Sequence, residues 1–323
     1  GAGSWGTALA VTLSNKGHSV RIWDIDKTHI RELRENKENV RYLPGVKFCD
    51  RLVPADTVEE ALAGADTVLF SAPAQHFRSA LESAASYINE DMIIVNVAKG
   101  IEQKTLMRMS EITKEMGQYK KYAVLSGPSH AEEVGRAMPT TVVAASENHD
   151  VAVAVQEMFS TDFLRVYTGT DVTGVELGGA LKNIIALGAG ISDGLGFGDN
   201  AKAAMMTRGI AEMKRLGVKM GADVNTFAGL TGIGDLIVTC TSMHSRNRRC
   251  GIMIGEGMAP EEAVKNVGMV VEGMFTAEAA YELADRLGVE MPITNEIYKL
   301  IKGQITGKEA VMNLMGRERK PED

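Results

Sequence analysis

The chain has 323 residues, 45% of them hydrophobic, and 42 acidic against 35 basic side chains give a formal net charge of -7. This length exceeds most single domains and predicts two, while the acidic balance excludes a general binder of nucleic acid or of an anionic membrane surface. The three cysteines, Cys49, Cys240 and Cys250, are too few and too scattered for a disulfide framework or a zinc site, which fits a reducing cytoplasm. No apolar run approaches the ~20 residues of a membrane-spanning helix, and no charged-then-apolar leader is seen.

The opening stretch, GAGSWGTALA, sets three glycines at G-x-G-x-x-G spacing ahead of a helical pattern that runs to Gly17. A turn of this kind is fed by a strand, and the reading places that strand ahead of the sequence given. HSVRIWD then reads as a strand ending at Asp24. TVLFSAP, MIIVNVAKG, YAVLSGP, TTVVAAS and FLRVYTG follow as short buried strands, alternating with helical segments such as FRSALESAASY and LMRMSEITKEM. The alternation predicts an α/β fold with a mostly parallel, doubly wound sheet over residues 1–171, its ligand crevice at the carboxyl ends of the strands. Beyond Asp171 the strand signals fade. VELGGALKNIIALGAGIS, NAKAAMMTRGIAEMKRLG, APEEAVKNV, TAEAAYELADRLG and TNEIYKLI predict an all-helical domain over 172–323, with Thr276 and Thr294 as N-caps, Gly217 and Gly288 as stops, and a frayed polar tail, GRERKPED.

The glycines have separate tasks. Gly1 allows the tight turn, Gly3 lets backbone approach a pyrophosphate, and Gly6 lets the helix close on the sheet. Asp24, about 20 residues on, is placed for the ribose hydroxyls of a dinucleotide and would repel a 2′-phosphate, so the cofactor reading leans to NAD over NADP. Lys27 is the one base close behind it. A solvated strand end is the alternative for Asp24.

Lys99 sits at the carboxyl end of a strand facing the crevice, and LSGPSHAEEV places Gly127 and Ser129 on the same edge, Ser129 as a natural N-cap. Lys182 stands in LGGALKNIIALGAG, otherwise nearly all apolar or tiny. With Gly178 and Gly179 one turn before it and Ala186 one turn after, its helix face has room. A lysine there snorkels or does chemistry, and desolvation with a like charge such as Lys99 would bring its proton affinity towards neutrality. Asn183 adjoins it. Asp235 is placed to pair with a lysine, Thr239 to add a hydroxyl bond. HSRNRR offers Ser245 as an N-cap, with Arg246 and Asn247 as a phosphate seat; Arg248 and Arg249 read as a solvated face. No metal site is expected, since the six histidines show no paired ligand spacing.

Together GAGSWGTALA, YLPG, VAKGIE, SGPSHAEEV, LGGALKNIIALGAGISDGLGFGDNAKAAMMTRG, GDLIVTCTSMHSRNRR and VVEG closely resemble the bacterial NAD(P)-dependent glycerol-3-phosphate dehydrogenases over essentially the whole chain. The resemblance implies a Rossmann-type domain followed by a helical domain. It also implies reversible reduction of dihydroxyacetone phosphate to sn-glycerol 3-phosphate, supplying phospholipid synthesis, with a homodimer as a possible assembly. By resemblance, Lys182 is the proton donor and acceptor, and Lys99 touches cofactor and substrate. Gly127, Ser129, Asp235, Ser245, Arg246 and Asn247 contact substrate, Arg246 also nearing the cofactor; Ser4, Trp5, Ala131, Val270 and Glu272 contact cofactor. NADP-using members often carry a basic or imidazole group just after the second strand, where this chain has Asp24, Ile25 and Asp26. Two alternatives stay open on the residues themselves: a related two-domain hydroxy-acid or sugar-acid dehydrogenase, and a dinucleotide-binding redox sensor without chemistry.

Overall fold

A computed structural model describes residues 1–117, 120–319 and 321–322, so Lys320 and Asp323 of the expected tail lie outside the described residues. The chain forms two units, Gly1–Lys99 with Met107–Glu176, and Gly100–Leu106 with Leu177–Asp323.

The first unit runs α1 (Ser4–Lys16), β1 (Val20–Ile22), α2 (Lys27–Asn36), β2 (Leu52–Pro54), α3 (Val58–Leu62), β3 (Thr67–Phe70), α4 (Phe77–Ala84), β4 (Ile93–Asn96), α5 (Met109–Met116), β5 (Tyr122–Ser126), α6 (Ala131–Gly135), β6 (Thr140–Ala145), α7 (His149–Phe159) and β7 (Leu164–Gly169). It is the predicted α/β architecture. β1 pairs with β2 in parallel, and β3-β4-β5-β6-β7 form a second sheet that is parallel except between β5 and β6. Successive strand residues point to opposite faces, and both faces are covered. Val95, Ala123 and Leu125 pack with Leu9 of α1 and with Val151, Val155 and Phe159 of α7. Ile94, Val68 and Phe70 pack with Phe77 and Leu81 of α4 and Ile112 of α5. β1 and β3 both line one cavity of about 630 Å³. β1 stops at Ile22, so Asp24 lies two residues beyond the strand instead of at its last position.

One buried cluster in this unit had no sequence signal. The Glu176 carboxylate accepts from Arg108 Nη1 at 2.8 Å, from Ser110 N at 2.9 Å and Oγ at 2.6 Å, and from Tyr122 Oη at 2.6 Å. Burial pushes the Glu176 carboxyl up and, with Glu176 beside it, pushes the Tyr122 phenol well up.

The second unit is all helical after its leading segment. α8 (Val172–Gly194) opens in the first unit, and α9 (Asp199–Lys219), α10 (Asp235–Thr241), α11 (Arg246–Gly255), α12 (Pro260–Val267), α13 (Glu272–Leu287), α14 (Pro292–Ile301) and α15 (Gly307–Met315) follow. Among the described residues α8 is the one helix long and apolar enough to cross a membrane, against the expectation that no run came near that length, and its apolar window lies wholly inside the fold.

Helix punctuation is partly as expected. Gly17 and Gly288 end their helices in the left-handed region, with φ of 111° and 64°. Gly217 does not stop α9, which runs on to Lys219; a Cβ there would stand 2.2 Å from Phe227 Cζ, so this glycine is small for packing. Thr276 is buried one turn inside α13, whose N-cap is Val271. Thr294 lies in the first turn of α14, after Pro292. The cap of that helix comes from elsewhere: buried Glu212 of α9 accepts the N–H groups of Ile293 at 2.6 Å and Thr294 at 3.1 Å and the Thr294 hydroxyl at 3.0 Å.

α8 and α11 meet backbone to backbone. A Cβ on Gly190 would lie 2.1 Å from Arg248 O, and on Gly194 2.2 Å from Ile252 O; from the other side, Gly251 would meet Leu187 O at 2.1 Å and Gly255 would meet Ile191 O at 2.4 Å. Glycines four apart on both helices therefore set how Lys182 and Asn183 stand relative to Arg246 and Asn247. Gly251→Ala is expected to destabilise this unit by about 1–3 kcal/mol despite alanine's better helix propensity. Chemical denaturation measures it, and an unchanged or raised midpoint contradicts the packing account.

Candidate active site

In the first unit the glycine loop is shaped by contact. A Cβ on Gly1 would lie 2.8 Å from Ser71 O and one on Gly6 2.2 Å from Gly1 O, whereas one on Gly3 meets nothing within 4 Å. Gly3 is the extended N-cap of α1, and no side chain caps that helix start. The loop thus presents backbone N–H groups and a helix dipole to open space, which fits a pyrophosphate. Asp24 is tied to it: Oδ2 accepts the Ala2 N–H at 2.7 Å and Oδ1 the Asp26 N–H at 3.1 Å. Ser4 opens α1. The Trp5 ring packs against two core clusters, and Ala131 is buried at the start of α6 in one of them, so both shape the loop's support.

At the carboxyl ends of β4 and β5 the structure brings Lys99, Gly127 and Ser129 together. Lys99 Nζ donates to Gly127 O at 2.8 Å and to Ser129 Oγ at 3.1 Å, and Ser129 Oγ donates to Gly127 O at 2.8 Å. Gly127 needs its glycine, because φ is 137° and a Cβ would press on Val142 Cα at 3.1 Å. Ser129 is not the N-cap of α6. That position is His130, and the serine hydroxyl is turned to Lys99 instead.

In the second unit Lys182 neither snorkels nor stands alone. Its ammonium donates to Asp235 Oδ1 at 2.8 Å and Thr239 Oγ1 at 2.7 Å, with the lysine side chain 7% and the aspartate 2% exposed. Asp235 is the first residue of α10, where its charge meets the positive helix end, and Thr239 one turn later lies on the same face, donating back to Asp235 O at 2.6 Å. Gly178 gives Lys182 no room: a Cβ there would strike Thr231 O at 2.5 Å, so the residue lets α8 close on the turn that delivers Asp235.

Asn183, next to Lys182 in sequence, holds the Asn247 amide. Asn247 Nδ2 donates to Asn183 Oδ1 at 2.9 Å, and Asn247 Oδ1 accepts the Gly273 N–H at 2.8 Å. This fixes the amide's orientation and leaves its second N–H as a donor. Ser245 caps α11 as expected, accepting from Arg248 N at 3.2 Å, and Arg246 opens the helix on an exposed face. Val270 and Glu272 are half-buried just before and at the start of α13. Arg248 is no solvated residue: Nε and Nη2 hold Asp193 Oδ2 at 2.9 and 2.8 Å, while Lys202 holds Asp193 Oδ1 at 2.8 Å. Arg249 is half-buried as well. Burial pushes the Cys240 thiol up to about 12, against the pull of Lys182 and Arg248. Among the described residues no group of three or more His, Cys, Asp or Glu is arranged to hold a metal.

Residues 1–152 match the family described as NAD-dependent glycerol-3-phosphate dehydrogenase N-terminus, and residues 171–312 its C-terminus. The chain is 52% identical to glycerol-3-phosphate dehydrogenase [NAD(P)+] of Bacillus mycoides, covering 100% of this chain and 96% of that one. It is 50% identical to the enzyme of the same name from Clostridium perfringens, covering 100% and 98%. Its fold is similar to the crystal structure of glycerol-3-phosphate dehydrogenase from Coxiella burnetii, with TM-score 0.94, 38% identity, and coverage of 98% of this chain and 97% of that one.

Removing one partner of the buried pair leaves an uncompensated charge. Asp235→Ala is expected to lower stability by about 3–5 kcal/mol, and a Lys182→Met, Asp235→Leu double replacement to recover most of it. Equilibrium unfolding of the three variants checks this; a single replacement without effect contradicts it.

Proposed function

Because the chain belongs to the NAD-dependent glycerol-3-phosphate dehydrogenase family, we infer that it interconverts dihydroxyacetone phosphate and sn-glycerol 3-phosphate with NAD(H) or NADP(H). The observation that carries the residue roles is the buried Lys182 ammonium, held by a carboxylate and a hydroxyl inside an otherwise apolar helix environment.

The bound nicotinamide supplies or takes the hydride. The chain's own groups do the rest. The open position at Gly3 and the uncapped start of α1 would hold the pyrophosphate, and Asp24, anchored on Ala2, would take the ribose hydroxyls. Arg246, the oriented Asn247 amide and the N-terminus of α11 form the seat for the substrate phosphate, and this remote, non-reacting anion positions the carbonyl. Lys182 Nζ donates a proton to the carbonyl oxygen as it becomes an alkoxide, and in the reverse direction it accepts the hydroxyl proton. Asp235 holds the ammonium during binding, and Thr239 limits its directions of motion. Lys99, fixed on Gly127 O and Ser129 Oγ, adds a positive group at the strand ends. The reaction's product is the glycerol phosphate that phospholipid synthesis consumes.

A hydroxy-acid dehydrogenase would use the same arginine for a carboxylate, but the positive end of α11 beside it, held in place by the Ser245 cap, favours the more highly charged phosphate. Lys182→Ala is expected to lower kcat by about 10²–10⁴-fold while NADH binding, read by fluorescence, is retained. A variant that folds, binds cofactor and turns over normally contradicts the assignment.

A further inference from the structure

A carboxylate at the ribose position repels a 2′-phosphate, and no arginine follows Asp24 closely in sequence. The fold brings one from a separate segment. Residues 39–42 are stitched to the glycine loop by buried Asn39, whose Nδ2 donates to Ala2 O at 2.8 Å and to Thr7 Oγ1 at 2.7 Å, and whose Oδ1 accepts the Tyr42 N–H at 3.0 Å. His29 Nε2 bonds to the same Ala2 O at 3.1 Å, and its ring meets Tyr42 edge-on with centroids 5.1 Å apart. The segment is therefore held at the cofactor loop from two sides.

Arg41 leaves this segment towards the acidic turn. Its Nη1 lies 3.4 Å from Asp26 Oδ2 and its guanidinium carbon 4.9 Å from the centre of the Tyr42 ring. Asp26 in turn gives its N–H to Asp24 Oδ1 at 3.1 Å, and Asp24 Oδ2 holds the Ala2 N–H at 2.7 Å. A guanidinium thus rests on Asp26, whose own N–H is bonded to the Asp24 carboxylate two residues before it. The Arg41 side chain is 57% and Asp26 45% exposed, so their long ion pair is weak and easily exchanged for a better anion. The planar fork of arginine suits a phosphate monoester better than a single carboxylate oxygen.

We propose that Arg41 is the residue that admits a 2′-phosphate, so that one site takes both dinucleotides. With NAD the guanidinium stays on Asp26 and Tyr42; with NADP it transfers to the phosphate. Asp26 is its competitor and sets how strongly NADP is preferred. This rests on the assignment of the glycine loop to a dinucleotide.

Titration calorimetry of the full chain with NAD⁺ and with NADP⁺ tests it. Arg41→Ala is expected to weaken NADP⁺ about ten- to a hundred-fold, the size of one charge-assisted bond, and to leave NAD⁺ unchanged. Asp26→Asn keeps a good N-cap for α2 and is expected to tighten NADP⁺ alone. An Arg41→Ala chain whose NADP⁺ to NAD⁺ affinity ratio equals that of the unaltered chain overturns the proposal, as does an unaltered chain that binds NAD⁺ but not NADP⁺. An unaltered chain that binds neither dinucleotide overturns the loop assignment, and this proposal with it.

Discussion

The ammonium of Lys182 and the carboxylate of Asp235 stand 2.8 Å apart, both side chains under 10% exposed, and neither charge is tolerable there without the other. Much of the second unit serves to keep them together. Gly178 lets α8 close on the turn before Asp235, the start of α10 offers its dipole to the aspartate, and Thr239 takes another of the ammonium's protons. A buried ion pair of this kind is poor evidence for stability, because an apolar pair of similar volume often serves as well. Its retention makes sense as chemistry: a proton source held in one place, ready for an oxygen that gains charge.

A different constraint governs the first unit. Backbone N–H groups bind an anion only if nothing else of the chain claims them, so the loop must be held firmly without a side-chain cap. Asp24 holds it through the Ala2 N–H, and His29 and Asn39 through the Ala2 carbonyl. Ala2 is wholly buried under these three contacts, while Gly3 next to it is open. Rigidity and access are thus separated by a single residue.

Periodicity was enough to find what repeats. The strands with two apolar faces and the long helices were visible because burial imposes a pattern over several residues. β2 was not, since three residues around an exposed Val53 are too few for a pattern. Neither were the contacts that join distant segments. Glu212 caps α14 through residues 81 and 82 positions further along the chain. Glu176 collects Arg108, Ser110 and Tyr122 from two elements, and Asn39 looks like any loop asparagine. Thr276 and Thr294 show the reverse error. They have the residue type of a cap at the edge of an apolar run, yet Val271 and Met291 hold those positions because the helices start earlier than the run suggests. At the site, Lys182, Asp235 and Thr239 were legible because polar groups in an apolar stretch demand partners; that Asn183 serves Asn247 was not, since either neighbour satisfies the same chemistry.

The central claim is that the Lys182 ammonium delivers the proton while Asp235 holds it. A crystal structure of the chain with oxidised cofactor and glycerol 3-phosphate tests it most directly. The account predicts Lys182 Nζ within about 3 Å of the reacting hydroxyl oxygen, with Asp235 still on the ammonium's other side. A substrate bound with that oxygen against another group, and Lys182 still enclosed by Asp235 and Thr239 alone, would contradict it.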